Sequence, residues 1–205
     1  TANGSGAWSF TPGATLPDAA YSITARASDA ANNTSVASSA ITVTIDTAAP
    51  AAPSISSPTS GSFTSDNTPT FSGTAEGNST IEVFRGGSTS LGTTTADGSG
   101  AWSLTVGSSL TDGSYSITAK ATDSANNTSS ASTAVALTVD TAAPLAPSIT
   151  SPTTGSTTND STPTFTGTAE ANGTVELFRG ASVSLGTTTA NGSGSWTITL
   201  GVAQT

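Results

Sequence analysis

The sequence predicts an all-β chain made of tandem copies of one small β-sandwich domain, with a period of 94 residues. Two observations carry that expectation. Trp8, Trp102 and Trp196 stand 94 residues apart, and so do the two DTAAP stretches at Asp46–Pro50 and Asp140–Pro144. Between these landmarks, apolar residues alternate with Ser and Thr in short runs bounded by Gly, Asn, Asp and Pro. Such runs are half-buried strands joined by turns. One period holds about as many residues as a small domain, so the repeating unit is a domain and the chain is an array.

The middle copy is whole, and seven strands follow in order along it. Strand A is expected over residues 53–57. Strand B is TPTFSGTA (Thr68–Ala75) with Phe71 inward, and strand C is STIEVFRG (Ser79–Gly86) with Ile81 and Val83 on one face. A fourth strand is SLGTTTA (Ser90–Ala96). Strand E is AWSLTV (Ala101–Val106), which places Trp102, Leu104 and Val106 together. Strand F is SYSITAKATD (Ser114–Asp123), aligning Tyr115, Ile117, Ala119 and Ala121. Strand G is AVALTVD (Ala134–Asp140), aligning Val135, Leu137 and Val139. Period-two alternation sends one face to a core and leaves Ser, Thr and Lys in water. Seven short strands in one period predict an immunoglobulin-like seven-stranded β-sandwich, with Trp102 and Tyr115 giving bulk where no disulfide is possible. The expected domains are 1–46 (strands E to G of a first repeat), 47–140 (a complete repeat) and 141–205 (strands A to E of a third), arranged as an extended rod.

Composition narrows the function. The 205 residues include no Cys, Met or His, and 4 Lys+Arg stand against 13 Asp+Glu, a net charge of −9. Without His or Cys, and with solitary carboxylates on loops, no nucleophile–base pair or acid–base dyad can be assembled, so an enzyme is not expected. Nucleic acid needs basic stripes that this acidic chain lacks. No run approaches the roughly 20 apolar residues of a membrane span. Hard cations, which take oxygen ligands, suit the composition.

The acids fall at the poles of the sandwich. Counting strands alternately puts Glu76 (B–C loop), Asp97 (D–E loop) and Asp123 (F–G loop) at the upper pole, and Asp66, Asp112 and Asp140 at the lower. Head-to-tail stacking then sets Asp46, leaving one domain, against Glu76, Asp97 and Asp123 of the next. The following junction pairs Asp140 with Glu170, with Asn191 in place of the D–E acid. Converging carboxylates repel unless a cation neutralises them, and Ca²⁺ accepts such oxygens at about 2.3–2.6 Å. The competing role is that of turn former, which suits Asp and Asn in loops and weighs most on Asp97 (ADGSG) and Asp112 (TDG). The expected metal ligands are therefore Asp46, Glu76, Asp123, Asp140 and Glu170, with Asp97, Asp66 and Asp112 weaker. The connectors DTAAPAAP and DTAAPLAP place prolines three apart, which makes an extended, semi-rigid linker.

Taken together, DTAAPAAPSISSPTSG (Asp46–Gly61), DNTPTFSGTAEGNSTIEVF (Asp66–Phe84), GSGAWSLT (Gly98–Thr105) and DGSYSITAKATDSANNTS (Asp112–Ser129) resemble the bacterial immunoglobulin-like extender repeats of giant surface adhesins exported by type I secretion. The resemblance implies extracellular stalk modules, with roles in cell adhesion and biofilm, that hold a binding tip away from the cell. It also implies Ca²⁺ at domain junctions and neighbouring repeats of the same chain as partners. By position it favours Asp46, Asp140 and Asp123 as ligands. Two other readings stay open: a carbohydrate- or ice-binding module on a flat Thr face (GTTTADGSG, GTTTANGSG), and spacer repeats of a phage fibre or surface layer. Lateral contacts with other copies, or completion of one chain's half-domain by another's strands, are further expectations about partners.

Overall fold

The computed structural model describes residues 1–201, and every helix or strand in them is a strand. The chain divides into two units, Thr1–Thr141 and Ala142–Thr205. The first unit opens on an antiparallel hairpin, β1 (Ala19–Ile23) with β2 (Ile41–Ile45). Eight strands then follow: β3 (Ser54–Ser57), β4 (Ser62–Thr64), β5 (Thr70–Thr74), β6 (Thr80–Arg85), β7 (Thr89–Thr95), β8 (Ala101–Thr105), β9 (Gly113–Thr122) and β10 (Val135–Val139). They form two sheets, β3-β5-β8 and β4-β10-β9-β6-β7.

The alternating apolar positions meet between these sheets. Phe71, Ile81, Val83, Ile117 and Ala119 are fully buried, and Trp102, Val106, Leu137 and Val139 join them in one cluster. Packing of two inner faces is what a sandwich needs, since each strand hides only every second residue. Two features support the rings. Gly73 lies where a Cβ would run into the Ser54 carbonyl and the Trp102 ring, so its missing side chain lets β3 and the indole close on β5. Tyr115 donates its hydroxyl to the Thr111 carbonyl at 2.7 Å, a tyrosine corner fastening the start of β9.

Eight strands replace the seven expected. The segment after β3 crosses to the other sheet, where β4 pairs in parallel with β10 (Ser62↔Leu137 to Thr64↔Val139). Pro58, which has no N–H to give a ladder, sits between the two pieces. The fourth strand, β7, pairs with β6 and not with β8, extending the larger sheet.

The second unit contains β11 (Ser148–Ser151), β12 (Thr164–Thr168), β13 (Thr174–Arg179), β14 (Val183–Thr189) and β15 (Ser195–Thr199). They form the sheets β11-β12-β15 and β13-β14 around Val175, Leu177, Trp196 and Ile198. Incomplete sets of strands show which elements depend on which. Residues 156–158, which match β4, form no strand here, where the described residues include no counterpart of β10 to pair with. The expected first strand E around Trp8 likewise forms no strand: the ladder partner of β8 is β5, and among the described residues no counterpart of β5 stands beside the hairpin. Apolar residues without a facing sheet stay wet: Ile23 and Ile41 are 42% and 61% exposed, against 0% and 7% for their counterparts Ile117 and Val135. Among the described residues, no helix is long and apolar enough to cross a membrane.

Candidate functional site

Strand register decides which loops share an end of the eight-stranded sandwich. Thr80 pairs with both Thr95 and Thr122, so the loop before β6, the loop after β7 and the loop after β9 lie together. Those loops carry Glu76, Asp97 and Asp123. At the opposite end, Val139 pairs with Gly113 and Thr64, which gathers Asp140, Asp112 and Asp66.

Asp123, Asp97 and Asp66 each close a local turn. The Asp123 carboxylate accepts from the Ala125 N–H (2.8 Å), the Asn127 N–H (2.9 Å) and the Asn127 side-chain amide (2.9 Å), closing a tight loop in which Asn126 has φ 69°. The Asn127 amide, followed by these backbone donors, holds the Asp123 carboxyl below the usual 3.8, outweighing the opposing effect of desolvation. In the first repeat, Asp29 and Asn33 build the same loop, with Asn33 again the leading cause of a lowered Asp29 pKa. Asp97 accepts from the Ser99 hydroxyl, the Ser99 N–H and the Ala101 N–H; these bonds, the hydroxyl first, lower its pKa. Asn3 and Asn191 receive the matching bonds through a neutral amide oxygen. The turn therefore needs an acceptor at this position and does not need a charge. Asp66 caps its own turn through the Thr68 N–H and hydroxyl. Glu76 and Glu170 have exposed side chains, and Glu170 borders a shallow cavity with Leu145, Ala146, Thr168 and Ala169.

One bond joins a loop of the sandwich to the hairpin exit. The Asn127 Nδ2 donates to the Asp46 main-chain carbonyl at 3.1 Å, across 81 residues of chain, while also donating to Asp123 Oδ2. An amide nitrogen has two hydrogens, so both bonds can be made at once. The Asp46 carboxylate turns back to the Ala48 N–H (3.1 Å). Thr47 is held from the hairpin side: its N–H and hydroxyl both bond Asp18, at 3.1 and 3.0 Å. Asp112 takes the same two bonds from Thr141 at the start of the second connector. Pro50 and Pro53 are buried, which completes a connector gripped from both directions.

A resident calcium ion requires six to eight oxygens around one point. Asp46 and Asp123 are brought to a single amide, but both oxygens of Asp123 already face N–H donors. Among the described residues, no three Asp or Glu side chains form a group able to hold a metal ion. The donors as arranged do not fit the ion.

Asn127, Asp18, Thr47 and Thr141 had no place in the sequence reading, and Asp112 entered it only as a weaker metal ligand or a turn former, not as the partner of Thr141. The signals were present in the text: DAANN and DSANN recur at the repeat spacing, and each DTAAP threonine follows its partner aspartate by 29 residues.

Residues 1–47 and 51–141 match the family model of the bacterial Ig-like domain. The chain belongs to the bacterial Ig-like domain family. Solved structures similar to this bacterial Ig-like chain include the BSP domain of a biofilm-associated protein (24% identity over 62% of this chain and 20% of that one, TM-score 0.37). A second is a Ca²⁺-stabilized adhesin that helps an Antarctic bacterium reach out and bind ice (27%, 88% and 48%, TM-score 0.39). A third is a 1.5-MDa bacterial ice-binding adhesin described in host cell surface retention (24%, 87% and 61%, TM-score 0.37). The bacterial Ig-like chain thus spans less than two thirds of each of these proteins. No curated protein matches it.

Proposed function

We propose that these bacterial Ig-like repeats are spacers: extracellular stalk modules of a bacterial surface adhesin, strung end to end so that a binding element is held away from the cell. The observation that carries this reading is the gripped connector. Thr47 is bonded to Asp18 behind it, and the Asp46 carbonyl is bonded to Asn127 ahead of it. A flexible tether would leave such a segment solvated, whereas a spacer gains reach only if its joints resist bending.

Small-angle scattering of the full chain tests the proposal. A compact globule of this length has a radius of gyration of about 17 Å, and a spacer is expected to exceed it with a constant, rod-like cross-section. A value near 17 Å refutes the reading. So does an excess accompanied by the scattering of a flexible coil.

Calcium stiffening is the second reading. It is favoured by the placement of Glu76, Asp97 and Asp123 at the end that receives Asp46. A melt in Ca²⁺ and again in chelator tests it. A rise in stability with Ca²⁺ would assign Asp46, Glu76 and Asp123 as groups that close on the ion. An unchanged melt leaves the joint to contacts within the protein.

A further inference from the structure

We propose that the β9–β10 loop is a receptor for the exit segment of the preceding repeat, and that Asn127 is its gripping residue. One side-chain amide ties the Asp123 carboxylate of the receiving sandwich to the main-chain carbonyl of Asp46, and so closes the joint without a metal. The proposal deepens the spacer reading by naming the partner of this loop, a copy of the chain's own Asp46–Pro53 segment.

Three observations converge on it. The receptor is preformed: Asp29 and Asn33 build the same loop, with Asn33 Nδ2 on Asp29 Oδ2 at 2.9 Å, in a hairpin where the whole loop is exposed. In the sandwich, the loop that carries the bond to Asp46 is more covered, and Asp123 and Asn127 are half-buried. The acceptor is a backbone oxygen, so recognition depends on the path of the connector and not on the side chain at position 46. That path is set by the prolines, which fix φ, and by Asp18 on Thr47.

The two connectors supply the third observation. Pro50 and Pro53 are buried where β9, β10 and their loop are present. Pro144 and Pro147, the same positions one period later, are exposed in a unit whose described residues lack those strands. Seven of the eight connector residues are identical (DTAAPAAP and DTAAPLAP), so local propensity does not separate them. The presence of the F and G elements does.

The bond also explains a division of labour within one amide. Its first hydrogen keeps the loop closed on Asp123, and its second reaches out to the connector. Replacing Asn127 by Ala removes both hydrogens but leaves the backbone N–H of residue 127 on Asp123 Oδ1. Asn33→Ala makes the same cut in a loop that holds no connector, and so controls for loop damage.

The test is nitrogen-15 relaxation of the full chain, read at Thr47, Ala48, Ala49, Ala51 and Ala52. In the unaltered protein these amides are expected to be as ordered as those of β9. Asn127→Ala is expected to drop the heteronuclear NOE of residues 47–49 to that of an exposed loop. Asn33→Ala and excess chelator are each expected to leave it unchanged. No loss in Asn127→Ala overturns the proposal. An equal loss in Asn33→Ala overturns it by making the effect one of loop damage. A comparable loss in the unaltered chain on adding chelator overturns it in favour of a metal-held joint. Should Asn127→Ala fail to fold, a through-hydrogen-bond coupling between Asn127 Nδ2 and the Asp46 carbonyl carbon in the unaltered chain supports the bond, and its absence overturns it. Failure of this receptor leaves the spacer reading to the scattering measurement.

Discussion

Ser129 and Ser132 give a perturbation whose size follows from the structure. Both are buried in the loop between β9 and β10, at 5% and 8% exposure. Ser129 Oγ accepts the Ala121 N–H and Ser132 Oγ accepts the Ala119 N–H, each at 2.9 Å. Each hydroxyl then donates to the carbonyl one residue on, Ser130 or Thr133. Two side chains thus stand in for ladder partners along the half of β9 that β10 does not reach. Replacing either by Ala strands a backbone N–H at a residue with no solvent exposure. A buried donor left unpaired costs about 1–3 kcal/mol, and about 2 kcal/mol means roughly a 30-fold rise in the open population. Native-state hydrogen exchange at the core amides of β9 and β10 reads that rise directly.

The first repeat carries an internal control. Ser35 and Ser38 make the matching bonds to Ala27 and Ala25, each at 3.0 Å, but they are exposed. Water can replace their hydroxyls, so Ser35→Ala and Ser38→Ala are expected to stay within about 0.5 kcal/mol, as surface changes do, read at the hairpin's own amides. Equal costs at buried and exposed positions would refute the reasoning. So would a buried Ser→Ala change that leaves exchange within twofold.

Other expectations follow from single contacts. Gly73→Ala places a methyl against the Ser54 carbonyl and the Trp102 ring; overpacking of this kind costs about 1–3 kcal/mol, and a thermal melt with exchange at Ile55 should show β3 released first. Tyr115→Phe removes the hydroxyl bond to Thr111 and should cost about 1 kcal/mol by urea denaturation, with no change in the sheet register. The lowered pKa of Asp123 means its contribution to stability is whole above 3.8 and is lost as pH falls through the lower native value. A carbon-13 titration of its carboxyl should therefore have a midpoint below 3.8, and Asn127→Ala should move that midpoint upward.

Most of the strands were legible because their chemistry is local. Phe71, Ile81, Val83, Ile117 and Leu137 alternate with Ser and Thr, and a register slip would turn every one of them out of the core. What escaped was non-local. Strand β4 is three residues long, carries a Phe63 that is 78% exposed, and exists only as a parallel partner of β10. The text of the fourth strand suits either neighbour, and only its pairing with β6 assigns it to the larger sheet. In the candidate site, the same distinction holds. Counting strands allots Glu76, Asp97 and Asp123 to one pole, but no count reveals that Asn3 and Asn191 do what Asp97 does, or that Asn127 and not a carboxylate reaches the connector.

The sequence by itself determined the repeat, the β class, the inward residues of nearly every strand and the fixed φ of the DTAAP prolines, since each depends on neighbours a few positions away. Tertiary structure alone decided which acids close turns, where the fourth strand pairs and what touches the connector. The reason is that a hydrogen bond across 81 residues depends on where two loops end up in space, and no local preference encodes that.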